Sequence, residues 1–232
     1  MMTEECQQII DLLHCEYQLF IDETDDKRLL ATWQQWREEG EKAGFIPLII
    51  VPDSTLTDML EEFDPTSFAE DRRQMICEAE KLDAQALFAR YPSGDGMTGE
   101  FTDTMPNDQF CSWWHDEEQL CKEILLVKIP TRNPWELAAW VPMGGFNSCP
   151  SPAEQIAVFR WWYEQYGAIP VAVTHDVWEM SVSRPPQSDE DAEKLANEQF
   201  AFCEDIVTQG MESIRALASM LKNAPVWYFW WD

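Results

Sequence analysis

The chain has 232 residues, 45% of them hydrophobic, enough for a sizeable core and too many for a disordered chain. Its 43 acidic residues against 16 basic give a formal net charge of −27, which argues against nucleic acid, bound through Lys and Arg, and against anionic membranes. Seven scattered cysteines and the acidic opening Met1-Met2-Thr3-Glu4-Glu5, unlike a basic signal peptide, predict reduced thiols and a cytoplasmic location.

Thr3 can cap a first helix, along which Ile9, Ile10, Leu12, Leu13, Tyr17 and Phe20 recur at helical spacing. The acidic stretch 22–26 reads as a solvated turn. A second helix carries Leu29, Leu30, Trp33 and Trp36, with Gly40 and Gly44 near its end. Phe45–Val51 is short, apolar and β-branched, which suits a buried strand. Pro52-Asp53-Ser54 turns into a helix with Leu56, Met59, Leu60 and Phe63, and residues 67–89 read as one long helix. Residues 92–109, with Pro92, Gly94, Gly96, Gly99 and Pro106, read as a mobile loop. Ile124–Ile129 is a second buried strand.

Signals sharpen from residue 131. Asn133-Pro134-Trp135-Glu136 and Ser151-Pro152-Ala153-Glu154 are capping-box patterns, each opening a helical segment. Val141–Pro150 between them is a tight Gly/Pro loop. The second helix carries Ile156, Phe159, Trp162, Tyr163 and Tyr166, and Gly167 stops it. Ala168–Val173 is a strand. Val177–Ser183 alternates, with Trp178, Met180 and Val182 on one face. Ser188 and Asp191 cap a helix reaching Val207, and Gly210 separates it from a last helix with Ile214, Leu217 and Leu221. The terminal strand Val226–Trp231 is aromatic on both faces, which predicts burial inside the sheet with cover on both sides.

The expected architecture is α/β (α+β): a mixed β-sheet of five or six strands flanked by helices. Residues 1–130 form an acidic, helix-rich N-terminal region with two buried strands, and residues 131–232 a C-terminal α/β domain; the two could share one continuous sheet. The excess charge is N-terminal, with 29 acids and 10 bases in residues 1–130 against 14 and 6 in residues 131–232. Residues 44–53 and 167–176 echo each other, each a strand entered through a helix-ending glycine after a helix with paired tryptophans. Duplication and convergence explain this equally well.

Four pieces of the C-terminal half form a recognisable set: Gly144-Gly145-Phe146-Asn147-Ser148-Cys149-Pro150, Tyr166-Gly167-Ala168, Phe202–Gly210, and the Trp-rich end 227–232. Together they make residues 131–232 resemble a bacterial family known as domain of unknown function 4253 (DUF4253). The resemblance implies a fold and a bacterial setting, and no activity. Ser148 and Glu204 depart from the family's pattern, where an acidic residue and a proline often stand.

The best site candidate is the loop around Cys149. Gly144 and Gly145 permit close backbone approach, Asn147 can bond a ligand or its own turn, and Cys149 precedes a helix N-terminus, whose dipole favours a thiolate. A catalytic reading pairs Cys149 with His175 and orients the base with Asp176 or Asp205; the plain alternative is a structural turn around a buried thiol. Arg184 could bind a ligand carboxylate or pair with a nearby acid. Cys111, His115 and Cys121 with Asp116 match no strong zinc spacing, so no metal is expected, and no cofactor motif is present. Of the adjacent pairs Trp113/Trp114 and Trp161/Trp162, one member each could be partly exposed or at an interface.

Two functions remain open. One is a non-catalytic protein-binding module, inhibitor- or immunity-like, for a basic partner. The other is an enzyme of hydrolase or transferase type using the Gly144–Pro150 loop with Cys149 as nucleophile. Oligomeric state is not legible.

Overall fold

The computed structural model describes residues 2–90, 96–115 and 119–232. At its centre is a mixed six-stranded sheet: β1 (Tyr17–Ile21), β2 (Ile46–Ile50), β3 (Glu123–Ile129), β4 (Ala168–Val173), β5 (Val177–Val182) and β6 (Val226–Trp230), in the order β1-β3-β2-β4-β5-β6. Neighbours pair antiparallel except β2 and β4, which run parallel, with Ile49 opposite Ala172 and Ile50 opposite Val173. The sheet is therefore continuous across the two halves of the chain, three strands from each, and is α+β as expected.

The first helix, α1 (Glu4–Leu13), is shorter than its apolar spacing suggests. Thr3 caps it, and His14 ends it in the left-handed region at φ 49°. Tyr17 and Phe20, which continue the helical spacing, instead belong to β1. Only Phe20 of that strand is buried, and the strand finds its hydrogen bonds in β3, more than a hundred residues away. That pairing overrides the local helical signal.

α2 (Lys27–Ala43) ends at Gly44, φ 87°, and α3 (Ser54–Leu60) starts from an Asp53 side-chain cap. The expected long helix over 67–89 is two helices, α4 (Phe68–Ala79) and α5 (Ala84–Phe88). The Asp83 side chain accepts from Ala86 N–H at 3.0 Å, so a fresh N-cap interrupts the run. Of the expected mobile loop, Pro92 and Gly94 lie outside the described residues, and the rest is irregular but tied down. Met97 and Thr98 carbonyls accept from Ile214 and Arg215 N–H, and Thr102 N–H donates to Ser219 Oγ.

In the C-terminal half a 3₁₀ turn (Pro134–Glu136) runs into α6 (Leu137–Trp140), followed by α7 (Pro152–Tyr166), α8 (Asp189–Phe202), a π-helical turn (Ile206–Met211) and α9 (Ile214–Leu221). α8 stops at Phe202, short of Val207, because Cys203 is extended. The Ser151–Glu154 capping box and the Gly167 stop form as expected.

The two faces of the sheet are covered unequally. α1 and α3 to α9 all contribute to one core, whose centre is an aromatic cluster. Trp162 stacks on Phe229 with centroids 5.1 Å apart and meets Phe202 edge-on at 5.1 Å. The opposite face carries a smaller core formed by α2 and by Phe110, Trp113, Trp114, Leu120 and Cys121 over Ile49, Leu126 and Ala172. β6 is buried, but as an edge strand that pairs with β5 alone in the sheet. Trp227, Phe229 and Trp231 enter the main core, while Tyr228 and Trp230 are half-buried on the other face.

The units 44–53 and 167–176 become neighbours, since β2 and β4 form the parallel pair, and the residues matched by the echo sit opposite each other. Their helices nevertheless lie on opposite faces, with Trp33 and Trp36 in the smaller core and Trp162 in the larger. A copy shifted along the sheet would keep both helices on one face.

Candidate functional site

The glycine loop is a closed structural knot. Gln155 on α7, wholly buried, donates its amide to the Met143 and Pro150 carbonyls, both at 2.9 Å, and accepts from Trp178 Nε1 at 2.9 Å. Gly144 has φ 114°, and a Cβ there would lie 2.4 Å from Pro150 O and 2.5 Å from Gln155 Nε2. Glycine is therefore required by close approach within the chain. Gly145, φ 76°, faces open space. Asn147 sits at φ 46°, and its side-chain amide donates to the Asp232 main-chain oxygen.

Cys149 is buried, 5% exposed, with Gln155 Nε2 3.8 Å from its sulfur. Burial pushes the thiol well above its ordinary value, and Cys203 nearby adds to the rise. The thiolate expected from the following helix dipole is thus disfavoured, because desolvation outweighs it. The other proposed catalytic groups are engaged elsewhere. His175 Nδ1 bonds Asp53 Oδ2 at 2.8 Å, and its Nε2 lies 3.5 Å from Asp176 Oδ2. Asp176 accepts from Trp230 Nε1 at 3.0 Å, and Asp205 accepts from Gln209 Nε2 and Asp232 N–H. Among the described residues no hydrogen bond joins Cys149 to His175 or His175 to Asp205. Arg184 donates to the Tyr163 and Glu164 carbonyls at 3.2 and 2.9 Å, closing the end of α7 beside Gly167.

His175, Asp53 and Asp176 meet at the carboxyl ends of the parallel strands β2 and β4, where the chain leaves toward opposite edges of the sheet. The Asp53 hydrogen bond raises the imidazole pKa against the opposing effect of burial. For Asp53 burial acts upward, but the His175 bond and the Leu56 N–H outweigh it and hold the carboxyl low. Nδ1 is committed to Asp53 and Nε2 faces Asp176, so the group staples two loops. Among the described residues no three His, Cys, Asp or Glu side chains converge in a way that could hold a metal ion; Asp116 lies outside them.

One wide concavity is not announced by the sequence. It is a groove of about 1120 Å³ on the thinly covered face, between α2 and the segment 107–114. A buried acid sets its geometry: Glu179 on β5, 0% exposed, accepts from Cys111 N–H at 2.8 Å, Ser112 N–H at 3.1 Å and the Ser112 hydroxyl. Burial pushes this carboxyl above the ordinary range, and the three donors from Cys111 and Ser112 recover only part of the cost. Trp113, fully buried, donates from Nε1 to Asp26 Oδ2 at 3.3 Å, fixing the segment to the start of α2. Its neighbour Trp114 is left half-buried in the groove wall, and Trp161 is likewise half-buried beside the buried Trp162. Both indoles of that second pair donate to Glu198 Oε2, at 3.1 and 3.0 Å.

The groove thus presents Asp26 and Asp108 with Trp33, Phe110, Trp114 and Tyr228. Burial, then neighbouring Cys111 and Glu179, push the Tyr228 phenol up, so that ring stays neutral. Carboxylates beside aromatic faces can receive ammonium or guanidinium groups through ion pairing and cation–π attraction.

Residues 125–232 match the family described as domain of unknown function (DUF4253). The match starts inside β3, and β2, which precedes the matched span, lies between β3 and β4. The family's stretch of sheet is therefore completed by a strand from the first half of the chain. Neither the curated proteins nor the solved structures contain a match to the chain.

Proposed function

We propose that this protein, its DUF4253 half included, is a non-catalytic binding module for a basic protein partner, inhibitor- or immunity-like in its mode of action. The observation that carries the reading is the groove in which Asp26 and Asp108 stand among Trp33, Phe110, Trp114 and Tyr228. A net charge of −27 steers a cationic surface toward the molecule, and the groove offers desolvated aromatic faces where Lys or Arg side chains can anchor. The alternative, a nucleophilic Cys149, is less supported: burial disfavours its thiolate, and among the described residues no hydrogen bond joins it to His175. No helix among the described residues is long and apolar enough to cross a membrane, and a cytoplasmic site of action is part of the proposal.

The test is fluorescence anisotropy of labelled Arg/Lys-rich peptides over a salt series, since a highly acidic protein binds cations weakly everywhere. Trp114→Ala, which leaves the charge unchanged, is expected to weaken binding about tenfold or more, as a hot-spot aromatic does. Asp108→Asn should act in the same direction, whereas Glu38→Gln on the outer face of α2 should have little effect. Equal loss at Glu38 and Trp114, or salt-insensitive binding, would remove the groove from the account.

A further inference from the structure

On the other flank of α2, at the amino ends of β2 and β4, lies a separate cavity of about 200 Å³. Its walls are apolar at Ile46, Pro47 and Ile169. Arg37 from α2 and Arg132 from the loop after β3 both line it, as does Tyr163 of α7. Four of the nine arginines, Arg28, Arg73, Arg90 and Arg215, pair with a carboxylate, and Arg184 donates to carbonyls. Arg37 and Arg132 are different: among the described residues neither is within salt-bridge distance of an acid, and neither guanidinium donates a hydrogen bond. Arg37 lies over the Trp33 ring at 5.5 Å, and Arg132 packs against the Gly44 turn. The Tyr163 ring packs at a tilt against Trp135, with centroids 5.2 Å apart.

We infer that this cavity is a binding site for a small monocarboxylate with an aromatic or branched aliphatic body. A planar guanidinium matches a carboxylate in a bidentate fork, and the apolar floor takes the body. A volume of about 200 Å³ is comparable to the roughly 150 Å³ of an apolar cavity that takes up benzene, the scale of benzoate. One charge fits better than two. Glu41 shares the rim, and the carbonyl ends of α2 and α7 face this side of the sheet, so the local field is only modestly positive. The helical start on its lining is Pro134, which opens a short 3₁₀ turn and has no N–H to offer a phosphate. The site is independent of the basic-partner reading and stands or falls separately, although Trp33 walls both cavities.

The test is calorimetric titration of the full chain with benzoate, its neutral isostere benzamide, and phenyl phosphate. Saturable one-to-one binding of benzoate is expected, with benzamide weaker by about tenfold or more because it lacks the charge-assisted bonds. Arg132→Gln and Arg37→Gln should each weaken benzoate about tenfold, while Arg73→Gln, elsewhere on the surface, leaves it unchanged. Unfolding midpoints of the variants should match the parent, because both side chains reach solvent. The inference is overturned by absence of saturable benzoate binding at millimolar concentration, by benzamide binding as well, by phenyl phosphate binding more tightly, or by full affinity in Arg132→Gln.

Discussion

Replacing Gly144 by alanine separates a structural knot from a ligand loop. At φ 114° the backbone lies where a residue with a Cβ is strained, at a cost of about 1–3 kcal/mol. The new methyl would also stand 2.5 Å from Gln155 Nε2 and 2.4 Å from Pro150 O. Relieving that contact moves Gln155 away from at least one of its three buried partners, Met143 O, Pro150 O and Trp178 Nε1, for about 1–3 kcal/mol more. A total of about 2–6 kcal/mol follows, or a fall in Tm on the order of 10 °C for a chain of this size. Gly145→Ala is the internal control: its φ is 76°, nothing lies near its would-be Cβ, and only about 1–2 kcal/mol is expected. Urea unfolding with unchanged m-value measures both. If the two variants fall within about 1 kcal/mol of each other, or Gly145→Ala is the worse, the packing account of Gly144 is wrong.

Three other outcomes follow from the same structure. The raised His175 pKa means that its bridge to Asp53 contributes fully below the ordinary value of 6.5 and is lost as pH rises through the folded-state value. The lowered Asp53 contributes above 3.8 and is lost as pH falls through its folded-state value. His175→Asn should flatten the stability–pH curve on its alkaline side, and an unchanged slope above pH 6.5 would count against the bridge. Exposed Cys77 should react with a thiol reagent in the folded protein, while buried Cys149 and Cys203, the latter pushed up to about 12, should react only after unfolding; rapid labelling of Cys149 would revive the nucleophile reading. Phe229→Ala removes a fully buried ring stacked on Trp162 and should cost about 3–5 kcal/mol, with a much smaller loss showing that the aromatic cluster repacks.

What the sequence discloses is what neighbouring residues decide. Ser151 and Glu154, or Gly44 and Gly167, determine helix ends within one turn, and all of these are legible. Tyr17 and Phe20 are misleading because they keep the helical spacing of α1, while their strand partners, Val127 and Ile124, lie far along the chain. The GGFNSCP motif is conspicuous, yet its reason, Gln155, lies on the following helix and carries no signature. The groove is the least legible feature. It joins residues 26–34, 107–114 and 228, and depends on Glu179, which reads as an ordinary polar position on an alternating strand. Only the Trp113/Trp114 doublet hints at it, since one indole of an adjacent pair must look away from the core.

The parallel seam between β2 and β4 also governs how the molecule can be made. The bridge beside it, Asp53 to His175, spans 122 positions. At ~5–20 residues per second, a growing chain holds β2 for roughly 6–25 s before β4 exists to cover its second edge. During that interval the apolar run Leu48–Val51 presents unpaired main-chain groups, a template for association with other chains. Pro47 deprives the run of one donor, which blunts the template, while the local hairpin of β4 and β5 can form without waiting. Joining the halves should therefore be the slow, aggregation-exposed step of folding, and sensitivity to synthesis rate or chaperone supply would be set at this seam.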